Sequence, residues 1–484
     1  MIERFTFERL QTALLFLAIA AAACLMPAQN DTWWQLRAGR EMWLAHRVLV
    51  TDTFSHTANG AFWPNHEWLS QLVLYSAYAV GGAPLITLLC AAAVTAAWAI
   101  VWRLTPASSG VKFLLTAFVI APATTTWSPR PQVFSLLLVS ATVALLQRRK
   151  YIWMPVVFCL WANLHGAVLL GIGLLGAAVI ASFVDDQNTD ARVRLLACSA
   201  LALLATLATP LGWRFWIEIA ESLSRIRPMG IDEWAPPRFT SIALVPFWVT
   251  IAALLAGVVA RGRTLLQNAA ARRDGHVTLC ACALVLAPAA LTAVRNVPPF
   301  LMAAVPALAA LWVVRDSERV TRQPSTHEPE GVVRQAARTH RPRLNTAIAT
   351  AAAAGAALSV TLAYSNNASR LNWTPLPAAS LAALDRCDGN LYNRYDEGGY
   401  LIWFAPRHKV FLDGRQDPYP PRLIEAQREA EASGDVSALF ARYGIRCAYV
   451  PAGSAVAERL SRIGWTTLYR DGAWTVLAHG GERG

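Results

Sequence analysis

The chain of 484 residues is 55% hydrophobic and has only 15% charged residues, with a mean hydropathy of +0.35. A soluble domain normally carries about a quarter charged residues, so this composition excludes an ordinary soluble globular protein. The formal net charge of +12 does not indicate a nucleic-acid partner, because the basic residues fall where membrane topology places them.

Eleven apolar runs account for the low charge. Most are long enough, or nearly so, to cross ~30 Å of hydrocarbon as a helix. Lipid offers no partners for exposed backbone groups, so the sequence predicts about eleven transmembrane helices. The runs are centred on residues 11–28, 83–102, 112–127, 132–147, 152–165, 167–184, 195–209, 242–260, 277–293, 298–314 and 344–364. Asn163-Leu164-His165-Gly166 separates the fifth run from the sixth and is interpreted as a tight turn.

Lysine and arginine are concentrated in alternate connecting segments, which the positive-inside rule places in the cytoplasm. The N-terminus is then cytoplasmic, and an odd number of crossings puts the end of the chain in the periplasm, as in a multi-pass protein of a bacterial inner membrane. The predicted organisation is a membrane domain 1–315 with extracytoplasmic loops 29–82 and 210–241, a cytoplasmic linker 316–343, a last transmembrane helix 344–364 and a periplasmic domain 365–484.

The two long outer loops each contain an amphipathic stretch, at 33–46 and 215–226. In the first, Trp33, Leu36 and Trp43 share one face of a predicted helix, opposite basic residues. Such stretches are typical of helices that lie along a membrane surface. We expect the two helices to frame a cavity.

The last part of the chain changes character. Apolar runs shorten to strand length and alternate with helical patterns at 422–432 and 453–463, which predicts a small α/β domain. The predicted strands are Asn390–Tyr392, Lys409–Leu412, Arg446–Val450 and Trp474–Ala478. If this domain is periplasmic, Cys387 and Cys447 are able to form a disulfide.

Polar side chains recur at the predicted outer membrane boundary, where placing them is costly without a use. They occupy six positions spread over five predicted loops: Asp31, His66-Glu67, Arg130, His165, Glu233 and Arg295. Each also has an ordinary structural interpretation, such as a helix cap for Asp31, a headgroup contact for Arg130 or a turn residue for His165. Their convergence on one side favours a functional site.

Several segments carry a recognisable pattern: Asp31–Gly39, Thr51–Ser55, Trp63–Leu69, Arg130–Gln132 and Trp161–Gly166, with Gly398–Leu401 and Val410–Arg415 near the end. Together they resemble a large group of bacterial membrane proteins that look like members of the GT-C glycosyltransferase superfamily. This superfamily includes the dolichyl-phosphate-mannose protein mannosyltransferases. The resemblance covers most of the chain and implies a GT-C-like helical membrane fold with a small C-terminal domain.

The resemblance implies transfer of a sugar, with inversion, from a polyprenyl-phosphate donor to an extracytoplasmic glycan, lipid or protein acceptor. GT-C enzymes carry a catalytic acid just after the first helix, where Asp31 stands, so Asp31 is the predicted general base and Glu67 the second catalytic residue. The predicted substrate-binding residues are His66, Arg130, Gln132, Asn163, His165, Glu233 and Arg295. Gln29 and Gln35 replace an acid and a histidine that are common in related proteins. No metal ligand is assigned, and a divalent cation is left open as a cofactor.

Other functions fit the same pattern. A transporter or flippase of lipid-linked glycans would use the same phosphate-binding arginines but would need no base. A polysaccharide polymerase or ligase would use a glycan donor, and a non-catalytic scaffold would bind cell-wall glycan through the C-terminal domain.

The topology is open to a direct test. Reporter fusions after residues 330 and 380 should report opposite sides of the membrane, cytoplasmic for the first and periplasmic for the second. Fusions to a reporter that is active on one side only would measure this, and identical sidedness would contradict eleven crossings.

Overall fold

The computed structural model describes residues 6–185, 188–226, 232–322, 342–366 and 368–480. Within these ranges the chain forms nineteen α-helices and four β-strands. The first fourteen helices are α1 (Phe7–Cys24), α2 (Asn30–Ala45), α3 (Trp68–Leu104), α4 (Ser109–Ala123), α5 (Gln132–Gln147), α6 (Met154–Leu164), α7 (Val168–Ser182), α8 (Thr189–Ala205), α9 (Arg214–Ile226), α10 (Val245–Gln267), α11 (Ala269–Arg273), α12 (His276–Thr292), α13 (Val297–Arg322) and α14 (Pro342–Asn366).

Each predicted apolar run falls on one of these helices. Among the described residues, six helices are long and apolar enough to cross a membrane, and α5, α6, α7 and α12 are apolar but shorter. The helical membrane fold is therefore confirmed, while the count of eleven crossings stays a prediction. The predicted linker 316–343 falls mainly on 323–341, outside the described residues, and α13 continues to Arg322.

Helix α3 begins earlier than expected. Residues 68–82, predicted as loop, are helical and bring α3 to 37 residues. Gly81 and Gly82 interrupt it, and Gly82 has φ 60° and ψ −155°, a conformation suited to glycine. The part of α3 before this kink packs against α2, where the Gln71 carbonyl lies so close to Gly39 that no side chain fits between them.

The remainder of the chain, residues 368–480, forms the tail domain. Its elements are α15 (Ala378–Leu384), β1 (Asn390–Asn393), α16 (Gly398–Phe404), α17 (Pro421–Ser433), α18 (Ser437–Tyr443), β2 (Ile445–Pro451), α19 (Ala455–Arg462), β3 (Thr466–Arg470) and β4 (Trp474–Ala478). The sheet order is β1-β2-β4-β3, with β1 and β2 parallel and the other neighbours antiparallel. The predicted small α/β domain is confirmed.

Two details of the predicted tail are wrong. Residues 409–412 are not a strand of the sheet, because Val410 pairs instead with the loop after α2: its N–H donates to the Phe54 carbonyl (3.0 Å), and its carbonyl accepts from His56 (3.1 Å). Strand β3 was not predicted, since its sequence is partly polar and its residues are exposed or half-buried.

The cysteine prediction is confirmed. Cys387 and Cys447 form a disulfide with a Cα–Cα distance of 5.9 Å, which joins the segment before β1 to β2. The other six cysteines are free thiols within the helical part.

A buried ion cluster fixes the tail domain to the loop after α2. Arg415 Nη1 lies 2.7 Å from Asp52 Oδ1, and Arg415 Nη2 lies 2.7 Å from Asp413 Oδ2, with all three side chains fully buried. The rings of Phe54 and Trp63 flank the guanidinium at 4.9 and 4.8 Å. An unpaired buried charge is strongly destabilising, so each ion requires its partners. We call Asp52, Asp413 and Arg415 the latch.

Aromatic side chains add a second contact. The Trp33 ring in α2 lies 4.6 Å from Phe404 and 5.9 Å from Trp403, both in α16. Helix α2 is therefore enclosed between α3 and the tail domain rather than lying on a free surface. Trp43, predicted to share the apolar face of Trp33, is instead 56% exposed, because the tail domain covers a different side of α2.

Arg415→Met should uncouple the tail domain. The substitution leaves the Asp52 and Asp413 carboxylates buried without their cation, which we expect to cost about 3–5 kcal/mol. Thermal unfolding of the detergent-purified protein measures the loss. Arg407→Met, at an exposed position of the same domain, is the matched control, and equal melting curves for the two variants would contradict the structural role of the latch.

Candidate active site

A cavity of about 570 Å³ lies where α2, α9, several interhelical loops and the tail domain meet. Eight predicted site residues line it: Asp31, His66, Glu67, Arg130, Gln132, His165, Glu233 and Arg295. Much of the remaining wall is apolar and includes Leu169, Leu170, Ile219 and Leu223. These residues, predicted from separate parts of the chain, thus line one cavity, together with residues of α2 and α9.

Asn163, predicted to bind substrate, is not among the residues that line this cavity. Its side-chain oxygen accepts from Trp68 Nε1 (2.7 Å), and its amide donates to the carbonyls of Cys159 (2.8 Å) and Ala208 (2.9 Å). These three bonds use the side chain to join α6, α3 and the segment after α8. In the structure Asn163 therefore holds the turn rather than facing the cavity.

Asp31 lies in the first turn of α2 and is not its cap. Gln29 precedes the helix, and its N–H donates to Thr32 Oγ1 at 3.1 Å. The Asp31 carboxylate is therefore not used as a helix cap and faces the cavity, with 28% of the side chain exposed. Asp31 Oδ1 accepts from Trp34 Nε1 (3.0 Å), and Oδ2 lies 2.9 Å from Arg130 Nη1.

Arg130 stands in the short connection between α4 and α5, flanked by two prolines. The Pro129 carbonyl accepts from Thr32 Oγ1 (3.0 Å), which ties this connection to α2. The Arg130 side chain is only 5% exposed and also donates to Glu233 Oε2 (3.0 Å). One guanidinium thus bridges two carboxylates from distant parts of the chain.

Glu233 extends this pairing to a second cation. Its Oε1 lies 3.3 Å from Arg295 Nη1, and the Arg295 guanidinium stacks over the Trp234 ring at 4.2 Å. The charges alternate in the order Asp31, Arg130, Glu233, Arg295. Two guanidiniums that recognise anions are therefore held on either side of one carboxylate.

A second polar group surrounds His165. Its Nε2 lies 3.4 Å from Glu67 Oε1, and its Nδ1 lies 2.8 Å from Ser135 Oγ. Glu67 also accepts a short hydrogen bond from Gln35. Gln35 was noted in the sequence only as a departure from a common histidine, and here it holds a predicted catalytic carboxylate.

Asp31 and Glu233 share one cation but titrate differently. Burial raises the pKa of Asp31 above its ordinary value, although the Arg130 charge opposes the shift. Burial acts in the same direction on Glu233, but the Arg295 and Arg130 charges outweigh it and lower the pKa of Glu233. The pKa values of the two carboxylates are thus shifted in opposite directions, and Glu233 stays ionised as an ion-pair partner.

The same causes shift the pKa values of the other titratable groups of the cavity. Burial raises the pKa of Glu67, against the opposing effect of His66. Burial and the charge of Arg295 lower the pKa of His165 well below its ordinary value. At neutral pH the His165 ring is therefore uncharged and acts as a hydrogen-bonding group.

The carboxylates of the site are paired with donors of the chain itself. The described residues hold no group of three or more His, Cys, Asp or Glu side chains placed to bind a metal ion. The Asp31 and Glu233 oxygens are bonded to guanidinium or indole N–H groups.

Sequence reasoning missed the contribution of the tail domain to the cavity. Residues 414–417 line it, directly after the predicted strand that turned out to pair with the loop after α2. The signal was present, because Val410–Arg415 belongs to one of the recognised motifs. A motif at a distant chain position does not by itself say which wall of a cavity it forms.

A second cavity, of about 760 Å³, lies on the other side of the same charged residues. Asp31, Arg130 and Glu233 line both cavities. Its remaining walls come from the start of α2 and the tail domain and are mostly polar; they include Asn30, Tyr395, Asp396, Gln427 and Glu431. Asp31 is therefore accessible from an amphipathic side and from a polar side.

No protein-family model matches this chain, and neither does any curated protein sequence. Solved structures do share its fold. The archaeal oligosaccharyltransferase AglB from Archaeoglobus fulgidus, in complex with an inhibitory peptide and a dolichol-phosphate, matches with a TM-score of 0.55 at 12% identity, over 91% of this chain and 69% of that one. ArnT from Cupriavidus metallidurans in the apo state matches with a TM-score of 0.50 at 14% identity, over 96% and 97%. The predicted GT-C-like fold is confirmed.

Arg130→Met should destabilise the site. It leaves the carboxylates of Asp31 and Glu233 without their shared donor, at a cost of about 1–3 kcal/mol, since both are partly exposed to the cavity. Thermal unfolding measures the change. Arg462→Met is the matched control, because the exposed Arg462–Glu458 pair (3.5 Å) should contribute less than about 1 kcal/mol. Equal effects of the two variants would contradict a bridging role.

Proposed function

We propose that this protein is a membrane glycosyltransferase that moves a sugar from a polyprenyl phosphate to an extracytoplasmic acceptor, with Asp31 as general base. One observation carries the proposal. The Asp31 carboxylate, whose pKa is raised by burial, lies beside the Arg130 guanidinium, and the Arg295 guanidinium and an apolar wall belong to the same cavity. A base and a phosphate site are both required for this reaction.

The cavity of about 570 Å³, called the amphipathic cavity because charged and apolar residues both line it, suits a lipid-linked donor. The guanidiniums of Arg130 and Arg295 can bind a phosphate, and Leu169, Leu170 and Leu223 offer an apolar path for the first part of a polyprenyl chain. Glu233 holds both guanidiniums in place before the donor arrives. When the donor binds, its phosphate replaces Glu233 as the anionic partner of the two guanidiniums.

The reaction needs one attack. The acceptor hydroxyl gives its proton to the Asp31 carboxylate while its oxygen forms a bond to the anomeric carbon. The bond between that carbon and the phosphate oxygen breaks, and the polyprenyl phosphate leaves with an additional negative charge. Arg130 and Arg295 stabilise this charge. A single displacement inverts the anomeric centre.

The two cavities give donor and acceptor separate approaches. A lipid-linked donor fits the amphipathic side, whereas a hydroxyl-bearing acceptor fits the polar side lined by Asn30, Tyr395 and Gln427. Asp31 borders both, so it can reach the acceptor proton while the phosphate rests on the guanidiniums. Glu67 and the neutral His165 offer hydrogen bonds to the sugar.

The fold and the disulfide support this assignment. One structure with the same fold is an oligosaccharyltransferase bound to a dolichol-phosphate. The Cys387–Cys447 disulfide is typical of an oxidising compartment, which supports a periplasmic tail domain and a site on the outer face of the inner membrane.

Two alternatives use the same cavity. A flippase or transporter of lipid-linked glycans would bind the phosphate but would not depend on a base at position 31. A polymerase or ligase would use the same base with a longer glycan donor. The raised pKa of Asp31 and its position between two cavities favour an enzyme.

Asp31→Asn should lower the rate of transfer by about 10²–10⁴, because the amide cannot accept the proton. The rate is measured as release of polyprenyl phosphate and free sugar from a panel of synthetic polyprenyl-phosphate pentoses and hexoses, with water as the acceptor. Glu41→Gln is the matched control: Glu41 is on the same helix, pairs with Arg37 at 2.8 Å and does not line the cavity. Full activity of Asp31→Asn would exclude Asp31 as the base, whereas no release by the wild-type protein would favour the transporter.

The pH dependence of the reaction tests the role of Asp31 independently. The reaction needs ionised Asp31, whose pKa is raised by burial in the free protein, so kcat/KM should fall as the pH drops through a value above that of an ordinary aspartate. Any residual activity of Asp31→Asn should lack this fall. A limb that persists unchanged in the variant would assign the titration to another group.

A further inference from the structure

The tail domain contacts the first turn of α2 at two glycines. Gly399, in the first turn of α16, donates its N–H to Asn30 Oδ1 (2.6 Å), and the Asn30 amide donates in turn to the Tyr395 carbonyl (3.3 Å). Gly414, between the latch residues Asp413 and Arg415, packs directly against the carboxylate of Asp31. The residue before the proposed base and the base itself are thus both held by the tail domain.

The contact at Gly414 leaves no room for a side chain. A Cβ atom there would lie 2.2 Å from Asp31 Oδ1 and 3.3 Å from Trp34 Nε1, the indole nitrogen that donates to the same oxygen. A methyl group would therefore have to displace the carboxylate and disturb its hydrogen bond. The close approach requires glycine for reasons of space.

We propose that Gly414 is a positioning residue, and that the latch serves to hold it against Asp31. The kinetic part of this proposal rests on the proposed function; the geometric part does not. The latch fixes the backbone on both sides of Gly414, because Asp413 and Arg415 are fully buried and paired. The tail domain thereby forms the wall that sets the direction of the Asp31 carboxylate.

The two glycines differ in what a methyl group would meet. At Gly414 the obstacle is the end of a side chain that can rotate away, so the fold should survive while the carboxylate moves. At Gly399 the obstacle is the backbone carbonyl of Asn30, at 2.2 Å, which cannot move without shifting α2. Gly414→Ala therefore separates positioning from stability, and Gly399→Ala does not.

The kinetic experiment compares Gly414→Ala with Gly472→Ala, whose added Cβ would meet nothing within 4 Å. With the same panel of polyprenyl-phosphate sugars, we expect kcat to fall about 10²-fold for Gly414→Ala, with little change in melting temperature and KM, and no change for Gly472→Ala. In the Asp31→Asn background Gly414→Ala should cost nothing further, since both changes act on one group. A further loss in that background, or full activity of the single variant, overturns the proposal.

Cross-linking tests the geometry without any substrate. In full-length protein with a protease site inserted after residue 330, Asp31→Cys with Gly414→Cys should form a disulfide under mild oxidation. The two fragments then stay joined on a non-reducing gel. Asp31→Cys with Gly472→Cys should not join them. Failure of the first pair to cross-link overturns the proposed contact. If it cross-links while wild-type transfer proves independent of Asp31, the proposed function fails and the contact stands.

Discussion

The buried latch is the interaction on which the site depends. Asp52 comes from the loop after α2, whereas Asp413 and Arg415 come from the tail domain, and none of the three charges is stable in the protein interior alone. Their pairing places the tail segment against the first turn of α2. Without it the amphipathic cavity would lose the wall formed by residues 414–417, and Asp31 would face solvent on that side.

A second set of charges, around Arg130, determines the chemistry. The alternation of carboxylates and guanidiniums compensates each charge, and it lowers the pKa of Glu233 while burial raises that of Asp31. Two carboxylates that share a cation can thus have different tasks, because one has a single guanidinium partner and the other has two. The ion pairs with Asp31 and Glu233 also hold the Arg130 and Arg295 side chains at the cavity.

The sequence predicted the helices and the members of the site, but not how they pair. Apolar runs are strong signals because lipid imposes a length and a composition on them, and polar residues at the ends of such runs stand out. Residues 68–82 were missed as helix because Ser70 and Gln71 interrupt their apolar character, and the burial of these two polar groups depends on α2 and α6. The prediction that Asn163 binds substrate could not take account of Trp68 and Ala208, which occupy its side chain and come from distant segments. The contact of Gly414 with Asp31 likewise arises only in three dimensions.

The distance along the chain between the two halves of this contact has a consequence for biogenesis. Asn30 and Gly399 are 369 residues apart, so the first turn of α2 is synthesised long before its partner in the tail domain. Closing so long a loop carries an entropic cost, and the contact forms only after the intervening helices are inserted. The proposed base is therefore held in place last. A truncated chain, even one correctly inserted in the membrane, would carry the charged residues of the site without the wall that orders them, so complete synthesis is itself a condition for catalysis.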